Sequence, residues 1–229
     1  MVKRIVEIEE KELEKLKGFV DYRLREDFEN ETFGKFIHIP SMNIYVSKEL
    51  HEIKGNHHEV SKLLHSRKEK LLSLAEFREF LIYTRDNLPE IYNSAISPNA
   101  GNSLEAERLD AEISWDGKSF YLSYHAFEDN GEVSRKKEAL DETTLIKSKF
   151  FGLSPFGISL EDYLKEGSTI QGFPQHGLKK GDLRYVPPQK KRISVGAFYR
   201  GKDLMQLSFD ENPQLNPSYM KLRIAKKEL

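Results

Sequence analysis

"ISVGAFYRGKDLMQLSFDENPQLNPSYMKLRIAK", residues 193–226, reads as three short strands. Successive side chains of a strand point to opposite faces. In the middle strand Met205, Leu207 and Phe209 therefore share one face, and Leu204, Gln206, Ser208 and Asp210 share the other. On the last strand Met220, Leu222 and Ile224 are expected to face inward, leaving Tyr219, Lys221 and Arg223 outward. In the first strand Ile193 and Val195 are out of phase with Phe198, and a β-bulge near Gly196 would reconcile them. One face is consistently apolar while the other carries almost anything. That asymmetry fits antiparallel hairpins closing over a core, with the second face free of packing demands.

The stretches upstream extend the pattern. Ser168–Arg192 holds glycines and prolines and reads as a long irregular segment, a length that in compact domains is often functional. Before it, "GISLEDYLKEG" is a short helix capped by Ser159 and ended by Gly167. In "AERLDAEISWDGKSFYLSYHAFEDNGEV", Ala111, Ile113 and Trp115 alternate, Asp116-Gly117 turns the chain, Phe120, Leu122 and Tyr124 alternate back, and Asn130-Gly131 turns it again. This is an antiparallel meander. Ser73 and Glu76 form a capping box that opens a helix with Leu74, Phe77, Phe80, Leu81 and Thr84 on one face, and Pro89 marks its end. Nearer the N-terminus, "KRIVEIEE" is a strand candidate and "EKELEKLKGFVDYRLREDF" a charged helix. "GKFIHIPSMNIYVS" is β-like and broken at Pro40; Ser47 is expected to open a short helix that Gly55 stops; "HHEVSKLLHSRKEKLL" is expected to be helical throughout. The fold class is α+β: one domain over 1–229, helix-rich to about residue 100 and strand-rich after it.

Composition narrows the functions. The chain has 229 residues, enough to bury roughly 70–75% of its unfolded surface in a core. It has no cysteine, which excludes disulfides, thiolate zinc sites and a thiol nucleophile. Lys+Arg and Asp+Glu number 36 and 37, for a net charge of −1, without the basic balance of a duplex binder. The basic cluster "KKGDLRYVPPQKKR", Lys179–Arg192, is read as a solvated, proline-broken loop. No signal-peptide h-region and no apolar run of membrane-spanning length are visible. Nucleic acid and membrane insertion are thus not expected, and a monomer or small homo-oligomer is.

Candidate chemical constellations are sparse. His51, His57, His58 and His65 lie within fifteen residues, with Glu52 and Glu59 beside them. A metallohydrolase helix wants H-E-x-x-H, so that two imidazoles meet one ion. Here "HEVSKLLH" spaces the histidines seven apart, and "HEIKGNH" spaces them six apart across a glycine. Polar surface or structural roles are the default, and no metal or cofactor is assigned. Asp110 and Glu112 share one strand face, an arrangement open to general acid–base work; solvated strand residues are the plainer reading. "GISLE" lacks the second glycine of a nucleophile elbow. Tyr199 and Tyr219 sit out of phase with the apolar face, as rigid amphipathic contact residues do on ligand surfaces.

Several stretches together resemble the variable proteins of diversity-generating retroelements, in particular the archaeal and archaeal-virus branch. The similarity runs through most of the chain and is carried by "VDYRLREDF", "FIHIPSMNIYVSKELHE", "NHHE" ahead of the "LAEF" helix, "QGFP", and the closing "SVGAF…NP…LRIAK". The resemblance implies a C-type-lectin fold of the formylglycine-generating-enzyme subtype, with a 3′ gene end rewritten by an adenine-directed, error-prone reverse transcriptase. It places Ser194, Val195, Phe198, Leu207, Pro213 and Arg223 on framework positions. It places Ala197, Tyr199, Gly201, Asp203, Leu204, Gln206, Ser208, Asp210, Asn212, Leu215, Asn216 and Tyr219 on positions that vary and bind ligand, within a variable region of about 193–226. The sequence departs from its relatives at Arg200, Lys202 and Met205, where they carry small residues, and at Lys221, where they carry glycine. Calcium-lectin sugar motifs and the cysteine of the enzymatic relatives are both missing, so the resemblance argues against both chemistries.

The expected function is therefore recognition and not catalysis. Variable side chains on the exposed face of the C-terminal hairpins would bind a protein or surface ligand, displayed on a virion or cell surface. The alternatives are a metal-dependent hydrolase using His57, His58, Glu59 and His65, and a structural virion module.

Overall fold

A computed structural model describes residues 35–97, 104–141, 143–144, 156–175, 177–190, 192–201, 204–215 and 220–227. The strand and helix expected before residue 29 lie outside these residues. Strands β1 (Phe36–Ile39) and β2 (Ile44–Ser47) form a hairpin, with Asn43 in the left-handed region at φ 50°. The C-terminal strand β12 (Ile224–Lys226) pairs antiparallel with β2 on one edge and with β3 (Glu69–Leu71) on the other, giving a four-stranded sheet in the order β1-β2-β12-β3.

Ser47 does not open a helix. It ends β2, donating its hydroxyl to the Glu49 carbonyl and accepting the Ile224 N–H. The helix begins later, as α1 (His57–His65), where Asn56 and Glu59 make a capping box of the same kind as Ser73 and Glu76. Nor does it run on to Leu72. Lys68 takes φ 55°, and Glu69–Leu71 is claimed by the ladder to β12, so tertiary pairing overrides local propensity. Helix α2 (Leu74–Asn87) keeps its expected cap and buries the expected face of Leu74, Phe77, Phe80, Leu81 and Thr84. Pro89 ends α2 and also starts α3 (Pro89–Ile96), where its fixed φ suits a first helical turn.

The second half builds the larger sheet, ordered β6-β5-β4-β9-β10-β8-β7, from β4 (Glu105–Trp115), β5 (Phe120–Phe127), β6 (Val133–Ala139), β7 (Phe156–Ile158), β8 (Leu183–Val186), β9 (Ser194–Gly201) and β10 (Leu204–Glu211). The turns at Gly117 and Gly131 fall where the sequence put them, both at positive φ. Helix α4 (Leu160–Lys165) is capped by Ser159 as expected. Residues 168–192 are less irregular than expected, because Leu183–Val186 pairs parallel with β10. The chain near Gly196 is irregular, but the extra residues sit on the neighbours: Ser208–Glu211 and Arg108–Glu112 bulge against Val195–Ala197. Gly196 is fixed by space, since a Cβ there would meet the Phe209 ring at 3.0 Å.

One face of this sheet closes the main core. Leu109, Ala111 and Ile113 of β4 join Phe198, Leu207 and Phe209 beneath α2, with Phe77 and Phe198 ring centroids 5.1 Å apart. Strand β4 is enclosed on every side. Strand β9 flanks one edge, while β5 and β11 (Met220–Leu222) share the other, and residues 105–113 are all buried. It nevertheless carries Glu105, Glu107, Arg108, Asp110 and Glu112, and each must find a partner, because an unpaired buried charge is expensive.

Arg223 supplies one partner and overturns its expected outward placement. It is 2% exposed, lies 3.2 Å from Glu107, and donates to the carbonyls of Ser47 and Lys48, its guanidinium 4.5 Å from the Phe80 ring centre. Its position between β11 and β12 turns it away from the alternation of Met220, Leu222 and Ile224, all of which are buried as expected. Arg200 and Lys221 both bind Glu105, each at 2.9 Å, and Arg200 also caps the end of α3 through the carbonyls of Ser94 and Ala95. No described helix is long and apolar enough to cross a membrane.

Burial pushes the Glu107 carboxyl up despite the pull of Arg223 and Arg200, and pulls the Arg223 guanidinium down despite Glu107. The pair thus specifies placement more than it adds stability. Glu107→Leu or Arg223→Met alone should cost about 3–5 kcal/mol in urea unfolding, and the double variant should recover most of that loss. Additive losses would contradict the pairing.

Candidate functional site

The expected ligand positions Ala197, Tyr199, Gln206 and Ser208 of β9 and β10 and a histidine-lined pocket occupy the same surface of the large sheet, the face turned away from the main core. Ala106, Arg108, Asp110 and Glu112 run along this face of β4. The register sets Tyr199 beside Ala106 and Ala197 beside Arg108, then Gln206 beside Tyr199 and Ser208 beside Ala197. In the other direction Ser123 lies beside Glu112, and Arg135 beside His125.

This face is not free in its middle. Ala197, Tyr199 and Ser208, expected to be exposed, are 0%, 5% and 1% exposed. Ala197 and Tyr199 pack with Ala106 and Met220 in a small second core, because β11 returns alongside β4. Arg108 ties the covering segments down, donating to the Gly55 carbonyl at 3.1 Å, the Leu215 carbonyl at 3.4 Å and the Met220 sulfur at 3.1 Å. The His57 N–H donates to the Pro213 carbonyl at 3.0 Å. The accessible positions lie around this patch: Gly201, Gln206 and Asp210 are half-buried, and Asn212 and Leu215 are exposed. Asp210 is engaged by Arg192 and by Gln189. Asp203, Asn216, Tyr219 and the side chain of Leu204 lie outside the described residues. All six framework positions, Ser194, Val195, Phe198, Leu207, Pro213 and Arg223, are buried.

Beside the covered patch, α1 lies over β4, β5 and β6 and encloses an open pocket of about 250 Å³ lined by His57, His58, His65, Asp110, Glu112, His125 and Arg135, with Ser61, Lys62 and Ser123 completing its wall. The Asn56 cap starts α1 so that His57, Ser61 and His65 recur at helical spacing toward the strands. Asp110 is not the solvated strand residue expected; it is fully enclosed. It accepts the His125 N–H at 2.7 Å and His125 Nδ1 at 3.0 Å. Burial alone would raise its pKa. The hydrogen bond from His125 and the charges of His125, Lys70 and His57 outweigh burial and hold the carboxyl below its ordinary range. An ionised carboxylate only accepts, so His125 carries its proton on Nδ1 and turns Nε2 elsewhere. The His65 and His125 ring centroids are 4.1 Å apart, nearly edge-on. Glu112, also expected in solvent, is buried between Arg135 at 2.5 Å and His58 at 3.7 Å.

His57 is the unusual member. Its Nε2 stands 3.9 Å from Asp110, beyond hydrogen-bond reach, and its Nδ1 is buried without a hydrogen-bond partner. Burial is the main cause that pushes its pKa down to about 4, with Asp110 opposing. Of the four residues considered for a hydrolase, His57, His58 and His65 do meet at one pocket. Glu59 does not, because its carboxylate accepts the Asn56 N–H at 2.9 Å to complete the helix cap. Among the described residues no three histidine or carboxylate side chains are arranged to hold a metal ion. The sequence signal for Ser123 and His125 was their phase opposite Phe120, Leu122 and Tyr124. Nothing local linked them to α1, which is more than fifty residues away.

No protein-family model, curated protein or solved structure matches the chain significantly.

Folding takes His57 from an unfolded pKa of 6.5 to about 4. Between those values the unfolded chain binds a proton that the folded chain refuses, so stability is full above about pH 6.5 and falls as pH drops toward 4. The loss from this residue is at most about 3 kcal/mol. In urea titrations across that window, His57→Gln should flatten the slope by about one proton. An unchanged slope would contradict the assignment.

Proposed function

We propose that the protein is a ligand-binding variable protein of a diversity-generating retroelement, with a C-type-lectin fold of the formylglycine-generating-enzyme subtype. Its recognition surface is the accessible margin of the sheet face opposite the main core: Gln206, Asp210, Asn212 and Leu215, with the neighbouring positions of the closing segment. The observation that carries this reading is the division of β10 by strand face, with buried Val195 on the outer face of β9 as an exception among the framework positions. Phe198 and Leu207, read as framework, enter the main core, while Gln206, Ser208 and Asp210, read as variable, point away from it. Variation on one face of a strand leaves the other face in register. The partner is a protein or surface ligand, and display is on a virion or cell surface. Buried Ala197, Tyr199 and Ser208 form a supporting layer under that surface and are not contacts.

Surface substitutions away from buried polar groups typically stay within about 0.5 kcal/mol, so such a margin can change its ligand without unfolding the molecule. The test is the flanking DNA. An imperfect repeat of the 3′ end of the gene, differing mostly at adenine positions that encode the marginal residues, should lie close to a reverse transcriptase gene. A complete neighbourhood lacking both would overturn the retroelement assignment.

A further inference from the structure

The pocket under α1 has a charge pattern that the reading above does not use. Its fixed charges are two carboxylates, Asp110 and Glu112, and two cations, Lys62 and Arg135. With its imidazoles uncharged the pocket is neutral, and any proton taken up there makes it positive. The carboxylates are already engaged: Asp110 by the His125 N–H and Nδ1, Glu112 by Arg135 and His58. Among the described residues, the pocket donors with no acceptor are the remaining imidazole nitrogens and the outer N–H groups of Arg135 and Lys62. Arg108 acts on His57, and Lys70, itself ion-paired with Glu76, acts on His65, with Asp110 opposing both. His57, buried and with an unpartnered ring nitrogen, cannot take a proton cheaply unless an anion arrives with it.

We infer that this pocket is a proton-linked binding site for an oxyanion, a phosphate, sulfate or carboxylate group, taken up together with protons on its histidines. The volume of about 250 Å³ admits the oxyanion with a small appended group. Arg135, held by Glu112 at the mouth, offers the forked donor geometry that suits such groups. Histidine is the side chain that titrates across the physiological range. Binding therefore strengthens as pH falls and weakens as the imidazoles lose their protons. The site is independent of the retroelement reading, because it uses none of the C-terminal positions that reading invokes.

The test is isothermal titration calorimetry of the whole chain with sulfate, whose charge stays constant over the range used, and with inorganic phosphate and acetate. Saturable one-to-one binding at about pH 5.5 that weakens at least about tenfold by pH 8 is expected, with net proton uptake read from buffers of different ionisation enthalpy. Sulfate and phosphate binding ahead of acetate would assign a tetrahedral group, and the reverse a carboxylate. His58 and Arg135 have side chains more than half exposed, so His58→Ala and Arg135→Gln should keep the fold, checked by circular dichroism, and each should weaken binding about tenfold. Absence of saturable binding at pH 5.5, binding that does not depend on pH, or binding untouched by both variants would overturn the site.

Discussion

The structure depends on a strand that is paired along both edges and buried from residue 105 to 113 yet carries charge. Strand β4 runs through the centre of the large sheet, and its charged side chains can only be there because other segments bring partners to them. Arg223 comes from the C-terminus to Glu107, Arg200 and Lys221 from β9 and β11 to Glu105, His125 from β5 to Asp110, and Arg135 from β6 to Glu112. The pairings of Glu105 and Glu107 join elements 95 to 116 residues apart, while those of Asp110 and Glu112 span 15 and 23 residues within the meander. A buried charge left alone would cost several kcal/mol, so alternative registers of β4 against its neighbours are penalised as heavily as a packing error. The C-terminal segment, which pairs with β2, β3 and β4, is thereby fixed to the first half of the chain.

The same constraint gives a physical reason for two cations on the strands beside β4. Arg200 and Lys221 both end on the carboxylate of Glu105. Either cation alone would leave Glu105 half-satisfied at a position only 8% exposed. Arg200 gains a second role at the end of α3, where the last carbonyls of a helix favour a cation. Met205 of β10 packs against the main core.

Much of the architecture was legible because it follows from period and punctuation. The α2 cap and its apolar face, the two glycine turns of the β4–β5–β6 meander, the Ser159 cap and the inward row of Met220, Leu222 and Ile224 are all local signals, and all stand. What period could not reveal was the second cover. Alternation told correctly that Ala197, Tyr199 and Ser208 oppose Phe198 and Leu207, but a face away from one core need not meet water, and here β11 and the turn after β10 lie close by. Arg223 looked outward for the same reason: its partner Glu107 is 116 residues away. The pocket was half visible. Its α1 histidines and the Asp110–Glu112 phase could be read from the chain, whereas their meeting depends on tertiary packing, and the plausible ligand Glu59 was taken by a helix cap.

This leaves a sheet with one core beneath it, a smaller core above its centre, and freedom only at its margin. Unfolding free energies of Tyr199→Ala and Leu215→Ser, measured side by side in urea, test that division most directly. Loss of a buried aromatic at position 199 should cost about 3–5 kcal/mol, while the change at exposed position 215 should stay within about 0.5 kcal/mol. Equal tolerance at both positions would contradict it, returning the middle of this face to solvent.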